Sequence, residues 1–138
     1  MHWWNPALNR PQLTLLLLEG CLAICRLPAN SKVPTWALAK GPLSSITRSA
    51  TELSIICTET AVPSGIHCER GWRVMKVENT LNFALTGILV SLAVPLADAG
   101  VSILTVTTFD SQYLMVKEAS IELALQILVN AGHEIQSR

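Results

Sequence analysis

The feature that most constrains this chain is a change of hydrophobic period after the turn cluster Pro63, Ser64 and Gly65. Residues 72–78 alternate, with Trp72, Val74, Lys76 and Glu78 on one face and Arg73, Met75 and Val77 on the other, which is the period of a strand. Leu85, Ile88, Leu89, Leu92, Ala93 and Leu96 then recur at three- and four-residue spacing, which predicts a helix over 85–99 capped by Gly100. Pro95 falls inside that helix, and a proline there removes a backbone hydrogen bond, so a kink or an irregular last turn is expected. Strands are predicted over 101–107 and 113–117, a second helix over 119–131 with Ile121, Leu125 and Leu128 on one stripe, a cap at Gly132 and a short last strand over 133–136.

The order from residue 72 onward is therefore βαββαβ, an α+β arrangement of the ferredoxin-like kind, with a four-stranded antiparallel sheet under two helices. The first half reads differently. Residues 13–18 and 21–27 are apolar runs on either side of Glu19-Gly20, which predicts a hairpin of two buried strands ended by Pro28. Residues 34–40, with Trp36, are ambiguous, and 43–48 and 53–57 read as two further strands, so this half is strand-rich and short of helix. The expected organisation is a tail over 1–12, a small strand-rich unit over 13–62 and a complete βαββαβ unit over 63–138.

A chain of 138 residues, half of them apolar, has material for one compact core or two small adjoining ones. Only 14% of residues are charged, ten basic against ten acidic, with no basic stripe, which makes nucleic acid and anionic membrane poor partners. So little charge on so small a protein suggests that a second copy covers some of its apolar surface. The run 13–18 is shorter than a secretory apolar region, and 88–106 is interrupted by Ser91, Pro95, Asp98 and Gly100, so neither reads as a signal peptide or a membrane span. Cys21, Cys25, Cys57 and Cys68 form no CxxC pair, and their spacing to His67 or His133 carries no metal signature. With no N-x-S/T acceptor either, the expected compartment is the cytoplasm, and no cofactor or metal is expected.

Catalytic patterns are equally sparse. The chain has no GxSxG elbow, no phosphate-cradling glycine loop, and no Ser-His-Asp or Cys-His pairing that spacing supports, so it is not expected to be an enzyme. Base-stacking aromatics are missing from the central strands, Trp72 excepted. His67 and His133 read as edge or turn residues. The polar run Thr105, Thr107, Thr108, Asp110, Ser111 and Gln112 concentrates hydroxyls, an amide and one carboxylate at the end of a central strand. Asp110 with the Thr108 and Ser111 hydroxyls suits an ammonium group, and the backbone amides of Thr86 and Gly87 at the start of the first helix suit a carboxylate. An α-amino acid carries both groups. The alternative is that Asp110 and Ser111 simply make a tight turn.

Several stretches also resemble a known family. They are ValProSerGlyIle at 62–66, GluArgGlyTrpArg at 69–73, LysValGlu at 76–78, LeuAsnPheAlaLeuThrGlyIleLeu at 81–89, ProLeuAlaAspAlaGlyValSerIle at 95–103, ThrThrPheAsp at 107–110, TyrLeuMetVal at 113–116 and AlaGlyHis at 131–133. Their order and spacing resemble ACT-domain proteins related to the CASTOR arginine sensors, and 23–28, 36–37 and 52–57 are similar to the first half of the small members.

The resemblance implies a degenerate N-terminal ACT-like unit before a complete ACT domain, in a non-catalytic amino-acid sensor that works as a homodimer. A regulatory protein partner is also implied. Ligand would lie between two ACT units, held by Val101, Ser102 and Ile103 of one and by Thr107, Thr108, Phe109, Asp110, Ser111 and Gln112 of the other, with Thr86 and Gly87 completing the set. Where the family commonly has aspartate before the TyrLeu pair, this chain has Gln112, and Ala84 and Leu85 stand where the arginine sensors place an acid. Both differences remove partners for a guanidinium group. They also leave open a dimeric interaction module that binds no ligand.

Overall fold

The computed structural model describes residues 11–78 and 84–137; most of the expected tail and the first three residues of the 81–89 motif lie outside them. The order among the described residues begins β1 (Thr14–Leu17), β2 (Leu22–Leu27), a 3-10 turn (Thr35–Leu38), β3 (Ser45–Arg48) and β4 (Leu53–Thr58). A second 3-10 turn (Glu59–Ala61) leads to β5 (Cys68–Val77), α1 (Leu85–Asp98), β6 (Ile103–Thr107) and β7 (Gln112–Lys117). A third (Glu118–Ser120) precedes α2 (Ile121–Asn130) and β8 (Glu134–Ser137). The fold is α+β, and the expected βαββαβ order is present as β5-α1-β6-β7-α2-β8.

All these strands join one sheet in the order β3-β4-β2-β5-β1-β8, with β7 on the other edge of β5 and β6 beyond β7. β5 is the strand that both halves share. Its first residues pair with β2 (Cys68 with Cys25, Glu69 with Ile24, Trp72 with Leu22), while Trp72 to Val77 pair with β7 and Met75 to Val77 with β1. Two steps along β2 therefore match three along β5, a bulge at Gly71, whose φ of 80° glycine adopts without strain. The bulge inverts the faces of β5. Cys68 points into the core of the first half, whereas Trp72 and Val74 point to the opposite surface.

The expected hairpin of residues 13–18 with 21–27 does not form. β1 turns away from β2 and inserts between β5 and β8, antiparallel to the first (Leu15 opposite Val77) and parallel to the second (Thr14 opposite Glu134). The sheet under the helices is thus five strands wide, β8-β1-β5-β7-β6, rather than four. Residues 14–17, expected in the first unit, complete the layer of the second. Burial explains the choice, because Leu13 and Leu15, 2% and 0% exposed, pack with Met75, Val77, Leu114 and Leu128 beneath α1 and α2. A Glu-Gly turn sets a change of direction and leaves the strand's partner to such contacts.

Two further clusters fill the rest. Ala23, Cys25, Leu53, Ile55 and Cys57 are closed over by Ala37 and Trp36 of the first 3-10 turn, and Trp72, Val74 and Met115 are covered by Leu18, Leu22, Ile24, Leu43 and Ile56. The side of the sheet away from the helices is therefore packed against the first half of the chain.

Candidate functional site

Thr107 and Gln112 face each other where β6 and β7 meet, and the four residues between them make a tight turn. The Thr108 amide donates to the Ser111 carbonyl at 2.8 Å, and the Ser111 amide donates to Thr108 Oγ1 at 3.0 Å. Residues 108–111 therefore do form a tight turn, with Asp110 exposed and Phe109 wholly so, at 103%. Gln112 is different, being only 2% exposed. Its Oε1 accepts from Thr107 Oγ1 at 2.7 Å, while its Nε2 is buried with no hydrogen-bond partner. Leaving a buried donor unmet costs roughly 1–3 kcal/mol, so this amide is poised for an acceptor.

The start of α1 lies at the same end. Val101 donates its amide to Leu96 at 2.9 Å, which fixes the end of α1 beside the start of β6. Fourteen helical residues extend about 21 Å, so the first turn reaches the opposite, hairpin end of the sheet. Its cap residue, Ala84, offers no side chain to the free amides, Thr86 is exposed and Gly87 half-buried. Val101 is buried, Ser102 exposed and Ile103 half-buried at the far end of β6, roughly 13 Å from Thr107 along the strand. One chain therefore splits the predicted residues into two groups, with Val101, Ser102 and Ile103 apart from the rest. Among the described residues, the outer edge of β6 pairs with nothing.

Other chemistry lies elsewhere. His133 is a buried core group, 4% exposed, and not the edge or turn residue that its position suggests. Its Nδ1 accepts from the Leu13 amide at 3.0 Å, and its Nε2 sits 3.1 Å from the Ser91 carbonyl and 3.2 Å from Ser91 Oγ, a hydroxyl that donates to the Pro11 carbonyl. Burial pushes its pKa down. Pro95, four residues after Ser91, has no amide to occupy the Ser91 carbonyl, and His133 takes its place. Proline at i+4 from a serine, with a histidine later in the chain, was the only trace of this in the sequence.

The thiols converge as well, since Cys25 lies opposite Cys68 and both pack with Cys57. Burial first, then the neighbouring thiols, push the Cys25 pKa up to about 12. No group of three or more His, Cys, Asp or Glu side chains among the described residues could hold a metal, and no described helix is long and apolar enough to cross a membrane. A cavity of about 250 Å³ against β2, β4 and β5, with Ile24, Arg26, Glu52, Ser54 and Glu69 among its walls, includes none of the predicted site residues.

Comparison with known proteins defines the class first. The ACT domain family model matches residues 67–130, and the model of a separate N-terminal domain family matches 20–65, so the second half of this protein is an ACT domain. The chain belongs to the same family as protein Atu0741 from Agobacterium tumefaciens, whose crystal structure is 36% identical, with 93% of this chain and 95% of that one covered at a TM-score of 0.87. More distant likenesses show the fold alone. Clostridium acetobutylicum aspartate kinase aligns at TM-score 0.60 and 12% identity over 80% of this chain and 32% of its own, and Escherichia coli aspartokinase III at 0.59 and 13% over 87% and 33%. No similar sequence was found among curated proteins.

Proposed function

We propose that this protein is a non-catalytic, amino-acid-binding regulatory protein that works as a homodimer, with ligand held between the ACT domains of two copies. The observation that carries the reading is the buried, unpartnered Nε2 of Gln112 at the same end of the sheet as the uncapped start of α1. A ligand carboxylate would accept from that amide and from the free amides of the helix, and the exposed Asp110 carboxylate would take the ammonium group.

A dimer also accounts for the split between the two groups of residues. If two copies pair antiparallel through the open edges of β6, centred on Thr105, Ile103 of one copy lies opposite Thr107 of the other. Each hairpin is then beside the partner's Val101, Ser102 and Ile103. The ligand would bias the protein between two states that a regulatory partner distinguishes. The resemblance to CASTOR-related sensors supports an amino acid as ligand, while Gln112 and the uncharged Ala84 and Leu85 favour one without a guanidinium group.

A second reading is a ligand-free dimeric module. It is favoured by the hairpin's own bonds, since Thr108 and Ser111 satisfy each other and Thr107 occupies Gln112 Oε1. Calorimetric titration separates the two. Ser102→Ala combined with Asp110→Ala should weaken the amino acid bound by the wild-type protein by at least tenfold, and unchanged affinity would end the site assignment.

A further inference from the structure

The thiols of the first half lie outside the ligand site, and their placement has a chemistry of its own. Cys25 on β2 stands directly opposite Cys68 on β5. The next residues along, Arg26 and His67, are joined by a backbone bond of 2.9 Å from the Arg26 amide to the His67 carbonyl. Hydrogen-bonded and non-hydrogen-bonded pairs alternate in an antiparallel ladder, so Cys25 and Cys68 form a non-hydrogen-bonded pair, the kind whose side chains approach more closely. Its Cα separation of about 4.5 Å falls within the range that a disulfide spans. The bulge at Gly71 is what turns Cys68 toward Cys25, since without the extra residue Cys68 would share the face of Trp72.

We propose that Cys25 and Cys68 are a reversible thiol modification site, closing to an intramolecular disulfide when the protein meets hydrogen peroxide. All four cysteines are free thiols in this structure. Cys68 is half-buried and reachable, and it reacts first. Its sulfur attacks one peroxide oxygen, the O–O bond breaks, and a sulfenic acid and one water result. The Cys25 sulfur then attacks the Cys68 sulfur, the S–O bond breaks as S–S forms, and the Cys25 proton leaves with the hydroxyl as a second water. Two thiols lose two electrons and peroxide gains them. Cys25 is the second to react because it is buried, 2% exposed, and directly opposite Cys68, so peroxide reaches Cys68 first and the sulfenic sulfur forms beside Cys25.

The other two thiols are placed differently. Cys57 lies opposite Ala23, diagonal to Cys25 although its thiol reaches that of Cys25, and Cys21 donates its S–H to Glu118 Oε2 at 3.5 Å on the far side of the bulge.

Peptide mapping after peroxide treatment of the folded, full-length protein tests this. Free thiols are alkylated under denaturing conditions, and cleavage after glutamate separates Cys57, in 53–59, from Cys68, in 60–69. The expected product joins peptide 20–52 to 60–69, with fragmentation placing the link at Cys25 rather than Cys21, and dithiothreitol reverses it. A link through Cys57 or Cys21, a link between two chains on a non-reducing gel, or Cys68 oxidised to sulfinic acid with Cys25 still alkylated would each overturn the proposal. So would four unmodified thiols. None of these outcomes depends on amino-acid binding or on a substituted protein folding.

Discussion

His133 shows how much one side chain holds in this small protein. Its ring must be neutral to accept from the Leu13 amide at Nδ1, and burial lowers its pKa below the ordinary value near 6.5. Protons therefore bind the unfolded chain more readily, so this contribution to stability is complete above about pH 6.5 and is lost as pH falls through that value and on through the folded pKa. Urea midpoints should drop between pH 7.5 and 5.5. His133→Ala should flatten that slope while costing about 2 kcal/mol, for an orphaned amide and a lost contact. At Gln112 the expected loss is smaller: Gln112→Met removes a donor that has no partner, and the exposed Thr107 hydroxyl can turn to water. The cost should stay under about 1 kcal/mol by chemical denaturation, while amino-acid binding is lost.

Two elements owe their geometry to single residues. Pro95→Ala in α1 would ordinarily gain about 3 kcal/mol, but the Ser91 carbonyl already has His133 as a donor, so the gain should be well below that in urea titrations. Gly71→Ala must hold a side chain at a φ of 80° and should cost about 1–2 kcal/mol while shifting Cys68 from Cys25. Both helices were legible in the sequence because each has one face in water and one in the core, and that contrast writes a period. The pairing half of β5 was legible through its β-branched and aromatic residues flanked by charged ones, although Trp72 and Val74 on one face and Met75 and Val77 on the other are all buried. β1 was legible as a strand but not as a neighbour of β5 and β8. Its partner is decided by Leu13 and Leu15 entering a core assembled from residues sixty to a hundred and twenty positions away. The same holds at the site. The polar hairpin could be read as a cluster, whereas the burial of Gln112 depends on what packs over it, and the thiol pair depends on the register that a bulge sets.

The whole molecule is two sequence segments held by one sheet. β5 serves both, and β1 reaches from the first segment into the layer of the second. The fragment 63–138 lacks β1, and with it the strand between β5 and β8 and the core contacts of Leu13 and Leu15. It should show no cooperative thermal transition, whereas a fragment starting at residue 11 should. A molecule of zero formal net charge whose β6 edge is open among the described residues suits the proposed pairing with its own copy, in which the proposed ligand site would be complete. The direct test of that claim is a thermal-shift panel of the purified protein against the twenty amino acids, with its mass measured by light scattering. The account predicts a dimer that one amino acid or a close set stabilises, equivalent to about 2.7 kcal/mol at a hundredfold excess over its Kd. A monomer, or a dimer whose melting no amino acid moves, would contradict it.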